Sequence, residues 1–143
     1  HGFPGLPEYV PAPGPTQEHP LKLLNGTRRP YITHSKTRSD QPYLLELEPE
    51  SVINMNPADA AARGIREGDR VWILSPYSET KVRARARVTI LVAKGLIDAQ
   101  YGWRGDQETQ VLVPRSGWDP ISGYPCCNDV CVQVVRAQDG GKA

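Results

Sequence analysis

Asn54-Met55-Asn56-Pro57-Ala58-Asp59-Ala60-Ala61-Ala62-Arg63-Gly64-Ile65-Arg66-Glu67-Gly68-Asp69-Arg70-Val71 is the stretch on which the fold turns. The Asn56 side chain can accept from the free amides that open a helix, and Pro57 suits the first helical position because its missing N–H is not needed there. Ala58 to Arg63 are good helix formers, and Gly64 can take the left-handed conformation that ends a helix. The spacing therefore predicts a short helix. Ile65 to Asp69 then reads as a turn into an apolar strand, Arg70-Val71-Trp72-Ile73-Leu74.

Working outward, Ser75 to Glu79 reverses the chain into Thr80 to Thr89, which alternates strictly. Lys81, Arg83, Arg85 and Arg87 fall on one face and Val82, Ala84, Ala86 and Val88 on the other, as expected for a strand with one buried side. From Leu21 onward, short apolar stretches are broken every eight to twelve residues by Gly, Pro, Asn or Asp. Candidate strands are 21–25, 52–54, 70–75, 80–89, 95–101, 111–113 and 130–136. A second short helix is expected around Tyr43 to Glu48, with Leu44, Leu45 and Leu47 apolar and Pro49 ending it. Many short, closely spaced strands predict a mainly β domain, either a barrel or a sandwich.

Residues 1–20 differ in kind, because six of the fourteen prolines fall there. Proline holds the backbone near polyproline II and donates no hydrogen bond, so this segment reads as an extended linker arm. The domain proper is expected over residues 21–137, with 138–143 as a flexible tail. The absence of methionine at position 1 suits an excised piece of a longer chain.

At 143 residues and 38% hydrophobic, one domain with a real core is expected. Net charge is +1, from 17 basic and 16 acidic residues, so no global field favours nucleic acid or an anionic membrane. The basic face of residues 81–87 carries no aromatic residue for base stacking and reads as a solvated strand face. No run is long and apolar enough for a membrane span, which predicts a soluble protein of the cytoplasm or periplasm. Cys126, Cys127 and Cys131 are odd in number and form no CxxC, arguing against a disulfide framework and a zinc site and for buried or half-buried thiols.

The stretch from Asn54 to Val71 resembles the N-P-x-D-A-x-x-x-G-I-x-x-G-D-x-V segment of the molybdopterin-dinucleotide-binding domain that closes the catalytic subunit of molybdenum and tungsten oxidoreductases of the dimethyl sulfoxide reductase type. In that domain the segment is architectural. Three further stretches carry the resemblance. Pro20 to Arg38 (PLKLLNGTRRPYITHSKTR) is similar to the family's first strand and following loop. Gly102-Trp103 resembles the pair that ends a later strand. Trp118-Asp119-Pro120-Ile121-Ser122-Gly123-Tyr124-Pro125, with Asn128, is similar to the closing D-P-x-S-G-x-P.

The resemblance implies a double-psi β-barrel of the aspartate-decarboxylase-like group with one or two short helices. It also implies a bound cofactor, molybdopterin guanine dinucleotide. Gly26 would let the backbone approach that group, while Thr27, Arg28, His34, Ser35 and Arg38 would offer hydroxyl, imidazole and guanidinium partners. Asn128, with an acceptor and a donor in one amide, would suit a pterin edge. No catalytic residue and no metal ligand is expected within this chain, since the metal would be held mainly by other domains. The implied partners are the remaining domains of a parent catalytic subunit and an iron-sulfur electron-transfer subunit, with no nucleic acid and no membrane insertion.

Two other functions are open to the same barrel. A pyruvoyl-dependent decarboxylase requires cleavage at a Gly-Ser bond, and no Gly-Ser dipeptide occurs here. A substrate- or partner-recruiting module without cofactor is the alternative, and it gives no evident reason for the His34-Ser35 loop or the Asp119 to Gly123 stretch.

Overall fold

The computed structural model describes residues 2, 5, 6, 9, 11–27, 41–115, 119–125 and 127–137. Strands β1 (Leu21–Thr27), β2 (Val52–Met55), β3 (Arg70–Ser75), β4 (Ser78–Val88), β5 (Leu96–Gln100) and β6 (Val130–Arg136) close into one barrel in the order β1-β5-β2-β4-β3-β6. Two pairs are parallel, β1 with β5 and β2 with β4, and the other four are antiparallel. A parallel neighbour cannot be reached by a hairpin, so the chain crosses over twice. Those interlocked crossovers make this a double-psi β-barrel, as the resemblance implies.

The stretch from Asn54 to Val71 explains itself in these terms. Helix α2 (Pro57–Ala61) is capped by Asn56, whose Oδ1 accepts from the Ala58 amide at 3.0 Å. The same side chain donates from Nδ2 to the Val92 carbonyl at 2.8 Å, tying the helix to the loop before β5. Asp59 is buried and accepts from the Gly95 amide at 2.7 Å. Gly64 takes φ +62°, and the Ile65 amide returns to the Ala60 carbonyl at 2.9 Å, which closes the helix end. Glu67 accepts from the Val88 amide at 2.6 Å, and Asp69 Oδ2 from the Arg66 amide at 2.9 Å. Every polar side chain singled out in this segment is thus engaged in holding backbone.

The core lies inside the barrel and alternates bulky with small residues. Leu21, Leu23, Ile53, Met55, Val71, Ile73, Val82, Ile97, Val130 and Val132 are buried alongside Ala84, Ala86 and Ala99. On β4 the expected alternation holds, with Val82, Ala84 and Ala86 inside and Lys81, Arg85 and Arg87 exposed. Outside, Glu50 pairs with both Arg70 and Arg85, and Arg83 pairs with Asp106 at 2.7 Å. Much of the basic face is therefore neutralised locally. Such exposed pairs contribute little to stability, about 0 to 1 kcal/mol each.

Two expectations need correction. Residues 111–113 are not a strand, because Thr109–Leu112 forms a 3-10 turn. The barrel closes without it, and Leu112 and Val113 are buried against the core while Ser75 Oγ donates to the Leu112 carbonyl at 2.7 Å. The first strand runs to Thr27 rather than stopping at residue 25. Helix α1 (Pro42–Leu47) forms near its expected position but buries none of its residues fully, and Leu47 is 64% exposed.

Cys131 is buried and Cys127 half-buried, neither of them in a disulfide, and Cys126 lies outside the described residues. Burial pushes the Cys131 thiol above its usual range, which marks it as a packing residue. Residues 11–19 form no helix or strand, and the Pro13 carbonyl lies 3.8 Å from Cys131 Sγ. Among the described residues no helix is long and apolar enough to cross a membrane.

Candidate functional site

The pairing of β1 with its two neighbours decides which side chains meet. Because β1 and β5 run parallel, their C-terminal ends, Asn25 to Thr27 and Gln100, reach the same mouth of the barrel. Because β1 and β6 run antiparallel, with Leu23 opposite Val130, the residues just before β6 return to that mouth. Asn128 is thereby level with the end of β1, more than a hundred residues away in sequence.

The strand end is irregular in a specific way. Asn25 pairs with Ala99 and Thr27 with Gln100, so Gly26 is an extra, unpaired residue in a β-bulge. Gly26 has φ +138°, which side chains rarely permit, and a Cβ built there would meet open space. Bulges of this kind re-aim a strand end and recur beside functional sites.

Two adjoining hollows of about 310 and 380 Å³ share Asn25, Gly26 and Asn128, and Tyr101, Gln110, Tyr124 and Cys127 complete the walls of the first. This is the size range of small-molecule sites. Asn25 is only 6% exposed; its Oδ1 accepts from Thr109 Oγ1 at 2.8 Å, while its Nδ2 is buried with no partner. An unpaired buried amide donor costs about 1 to 3 kcal/mol, so proteins rarely leave one without a function. The described walls are neutral and amide-rich. A smaller groove of about 210 Å³ beside Glu48, Glu50, Arg85 and Arg87 coincides with the ion pairs of Glu50 and needs no ligand to account for it.

The wall carrying Tyr124 is built on a tight turn. Asp119 Oδ1 accepts from the Ser122 amide at 2.6 Å, from Ser122 Oγ at 2.7 Å and from the Ile121 amide at 3.2 Å, and the Asp119 amide donates to the Tyr124 carbonyl at 3.0 Å. The Ser122 hydroxyl and amide hold the Asp119 carboxyl below its ordinary value. The folded turn therefore gains stability above the ordinary carboxylate range and loses it as pH falls through the depressed value. In a pH titration followed by NMR, we expect the Ser122 and Ile121 amide shifts to change with a midpoint below about 3.9. A midpoint at or above that figure would show that the turn is not held by the ionised carboxylate.

Of the seven residues singled out from sequence, the structure brings Gly26 and Asn128 to one cleft and places Thr27 at the last position of β1. Arg28, His34, Ser35 and Arg38 lie outside the described residues. Sequence reasoning missed Tyr101, Gln110, Tyr124 and Cys127 as wall residues. Tyr101 stands directly before Gly102-Trp103 and Tyr124 within the closing motif, so both were near a signal; Gln110 has none nearby. Among the described residues no group of three or more His, Cys, Asp or Glu could hold a metal ion.

Comparison with known proteins bears on this geometry. Residues 22–131 match the family described as "Molydopterin dinucleotide binding domain". The chain is 34% identical over 150 aligned residues to a dopamine dehydroxylase of Eggerthella lenta, covering 92% of this chain and 14% of that protein. It is 29% identical over 173 aligned residues to a formate dehydrogenase subunit alpha of Megalodesulfovibrio gigas, covering 92% of this chain and 17% of the other. This chain thus spans about one seventh to one sixth of the length of these curated relatives. Acetylene hydratase from Pelobacter acetylenicus superposes with a TM-score of 0.77 at 17% identity, over 90% of this chain and 21% of the other, which shows a shared fold.

Proposed function

The chain belongs to the molydopterin dinucleotide binding domain family, and from that membership we propose that it holds molybdopterin guanine dinucleotide at the mouth of its barrel, as one domain of a larger oxidoreductase subunit. The observation that carries this reading is the cleft shared by the Gly26 bulge and Asn128, with the unpartnered Asn25 amide in its wall. Neutral amides and phenols suit a pterin edge or a nucleotide base, each of which needs donors and acceptors in one plane. They offer no compensation for a diphosphate. That task falls, in this reading, to Arg28, Arg38 and His34, with Thr27 and Ser35 as hydroxyl partners.

The metal carried by the cofactor would supply the redox chemistry, and other domains would supply its ligands. This chain's part is to bind and orient. Residues 21–137 are then the binding barrel, with 1–20 the linker arm and 138–143 the tail. The partners are the remaining domains of the parent subunit, together with an iron-sulfur electron-transfer subunit.

In the full-length polypeptide that carries this chain, Arg28→Ala, His34→Ala and Asn128→Ala are expected to lower the pterin and molybdenum or tungsten content of the purified protein. For Arg28→Ala and His34→Ala, loss of one charge-assisted hydrogen bond, on the order of 1.5 to 3 kcal/mol, corresponds to a roughly tenfold or greater weakening of retention, and Asn128→Ala, which removes a neutral one of about 0.5 to 1.5 kcal/mol, should weaken it less. Circular dichroism should show the barrel still folded. Pterin and metal content equal to wild type in all three variants would rule the reading out.

A further inference from the structure

Seven polar residues are buried among the described ones, and four of them, from four separate stretches of the sequence, join into one chain of hydrogen bonds. Thr109, at the start of a 3-10 turn, donates from Oγ1 to Asn25 Oδ1 at 2.8 Å, with the Gln100 carbonyl at 3.5 Å as a second acceptor. Gln100, the last residue of β5, donates from Nε2 to Glu48 Oε1 at 3.4 Å. It also accepts at Oε1 from Trp103 Nε1 at 3.3 Å. Glu48 follows directly on α1 and is 5% exposed.

The two ends of this chain have a simple relation in sequence. Asn25 and Glu48 bracket Gly26, Thr27, Arg28, His34, Ser35 and Arg38, six of the seven residues assigned to the cofactor. We propose that Thr109 and Gln100 are positioning residues for the cofactor cleft, tying the segment's two flanks to each other through the end of β5. This rests on the cofactor-binding reading above.

An apolar cluster at these positions would bury as much surface without desolvating four polar groups, so stability alone does not account for the arrangement. Hydrogen bonds do what apolar contact cannot, which is to set direction. With Oδ1 of Asn25 committed to Thr109, its amide orientation is fixed and Nδ2 is the end left unpartnered beside the Gly26 bulge. Gln100 acts at two points, since its backbone pairs with Thr27 across the bulge and its side chain holds Glu48. Thr109 touches no cleft volume itself and acts through Asn25.

The test separates positioning from mere stability. Thr109→Val keeps the shape of the side chain and removes its hydroxyl, leaving Asn25 Oδ1 unpaired; Thr109→Ser restores the hydroxyl. Hydrogen exchange on the full-length polypeptide should show the amides of residues 25–27 exchanging about tenfold faster in Thr109→Val, with β3 and β6 unchanged and Thr109→Ser close to wild type. Pterin content should fall in Thr109→Val and recover in Thr109→Ser. Glu48→Gln, which keeps the acceptor for Gln100, should retain the pterin.

Faster exchange across the whole barrel, or no change at residues 25–27, would overturn the positioning role. So would local acceleration with pterin content equal to wild type. Absence of pterin from the wild-type polypeptide would instead overturn the cofactor reading, while the exchange result would still report on the Thr109 to Asn25 link.

Discussion

Gly26→Val is expected to empty the full-length polypeptide of its pterin dinucleotide, with retained pterin falling by about a hundredfold, equivalent to roughly 2.7 kcal/mol of binding. Two effects act together. The backbone at Gly26 sits at φ +138°, where a side chain is strained by about 1 to 3 kcal/mol, so the bulge must shift or store that strain. A Cβ there would meet no protein atom, which means the valine methyl groups would project into the cleft shared with Asn25 and Asn128. Pterin released by oxidation and read by fluorescence, normalised to protein, is the direct measurement. Gly26→Ala separates the contributions, since it carries the strain with far less bulk. Wild-type pterin content in Gly26→Val would mean that the bulge is not where the cofactor lies.

Ile53→Ala should destabilise the barrel by about 2 to 5 kcal/mol, the range for removing a large aliphatic side chain from a close-packed core. Ile53 is fully buried on β2 and is paired with Ala86 of β4 and Ala99 of β5. Both neighbours are small, so neither can move a side chain into the vacated space. Relaxation would have to come from the strands, which the closed hydrogen-bonded ring resists. Against a total of about 5 to 15 kcal/mol for an ordinary domain, this is a large fraction. Denaturant unfolding of the 143-residue chain provides the check. A midpoint unchanged from wild type would show that the site collapses freely. Val82→Ala, at an equally buried position on β4, should behave in the same way at smaller magnitude, because fewer carbons are removed.

Much of the architecture could be read from local chemistry. Asn56, Pro57 and Gly64 announce a helix by the groups they offer to its ends, and the observed cap and left-handed glycine follow directly. The alternation over residues 81–88 assigns an inside and an outside face to β4 before any partner strand is known. Residues 111–113 misled for a related reason. Val111, Leu112 and Val113 are apolar because they close the end of the barrel, and a short apolar run looks alike in a strand and in a buried turn. Asp59 shows another limit. Its carboxylate is required by the Gly95 amide, 36 residues on, and nothing in the immediate sequence reveals that partner.

For the cleft the division is sharper. The sequence by itself determined that Gly26 is a backbone specialist, that Asp119 and Ser122 build a turn, and that the chain carries the family's segments in order. These depend on residues within a few positions of one another. Only the tertiary structure decided that Asn128 faces Gly26, that Tyr101, Gln110 and Tyr124 join them, and that Thr109 and Gln100 link Asn25 to Glu48. Those meetings follow from β1 pairing parallel with β5 and antiparallel with β6 in a closed ring. Strand partners are selected by long-range hydrogen bonding and shared burial, which leave no local mark on the sequence of either strand.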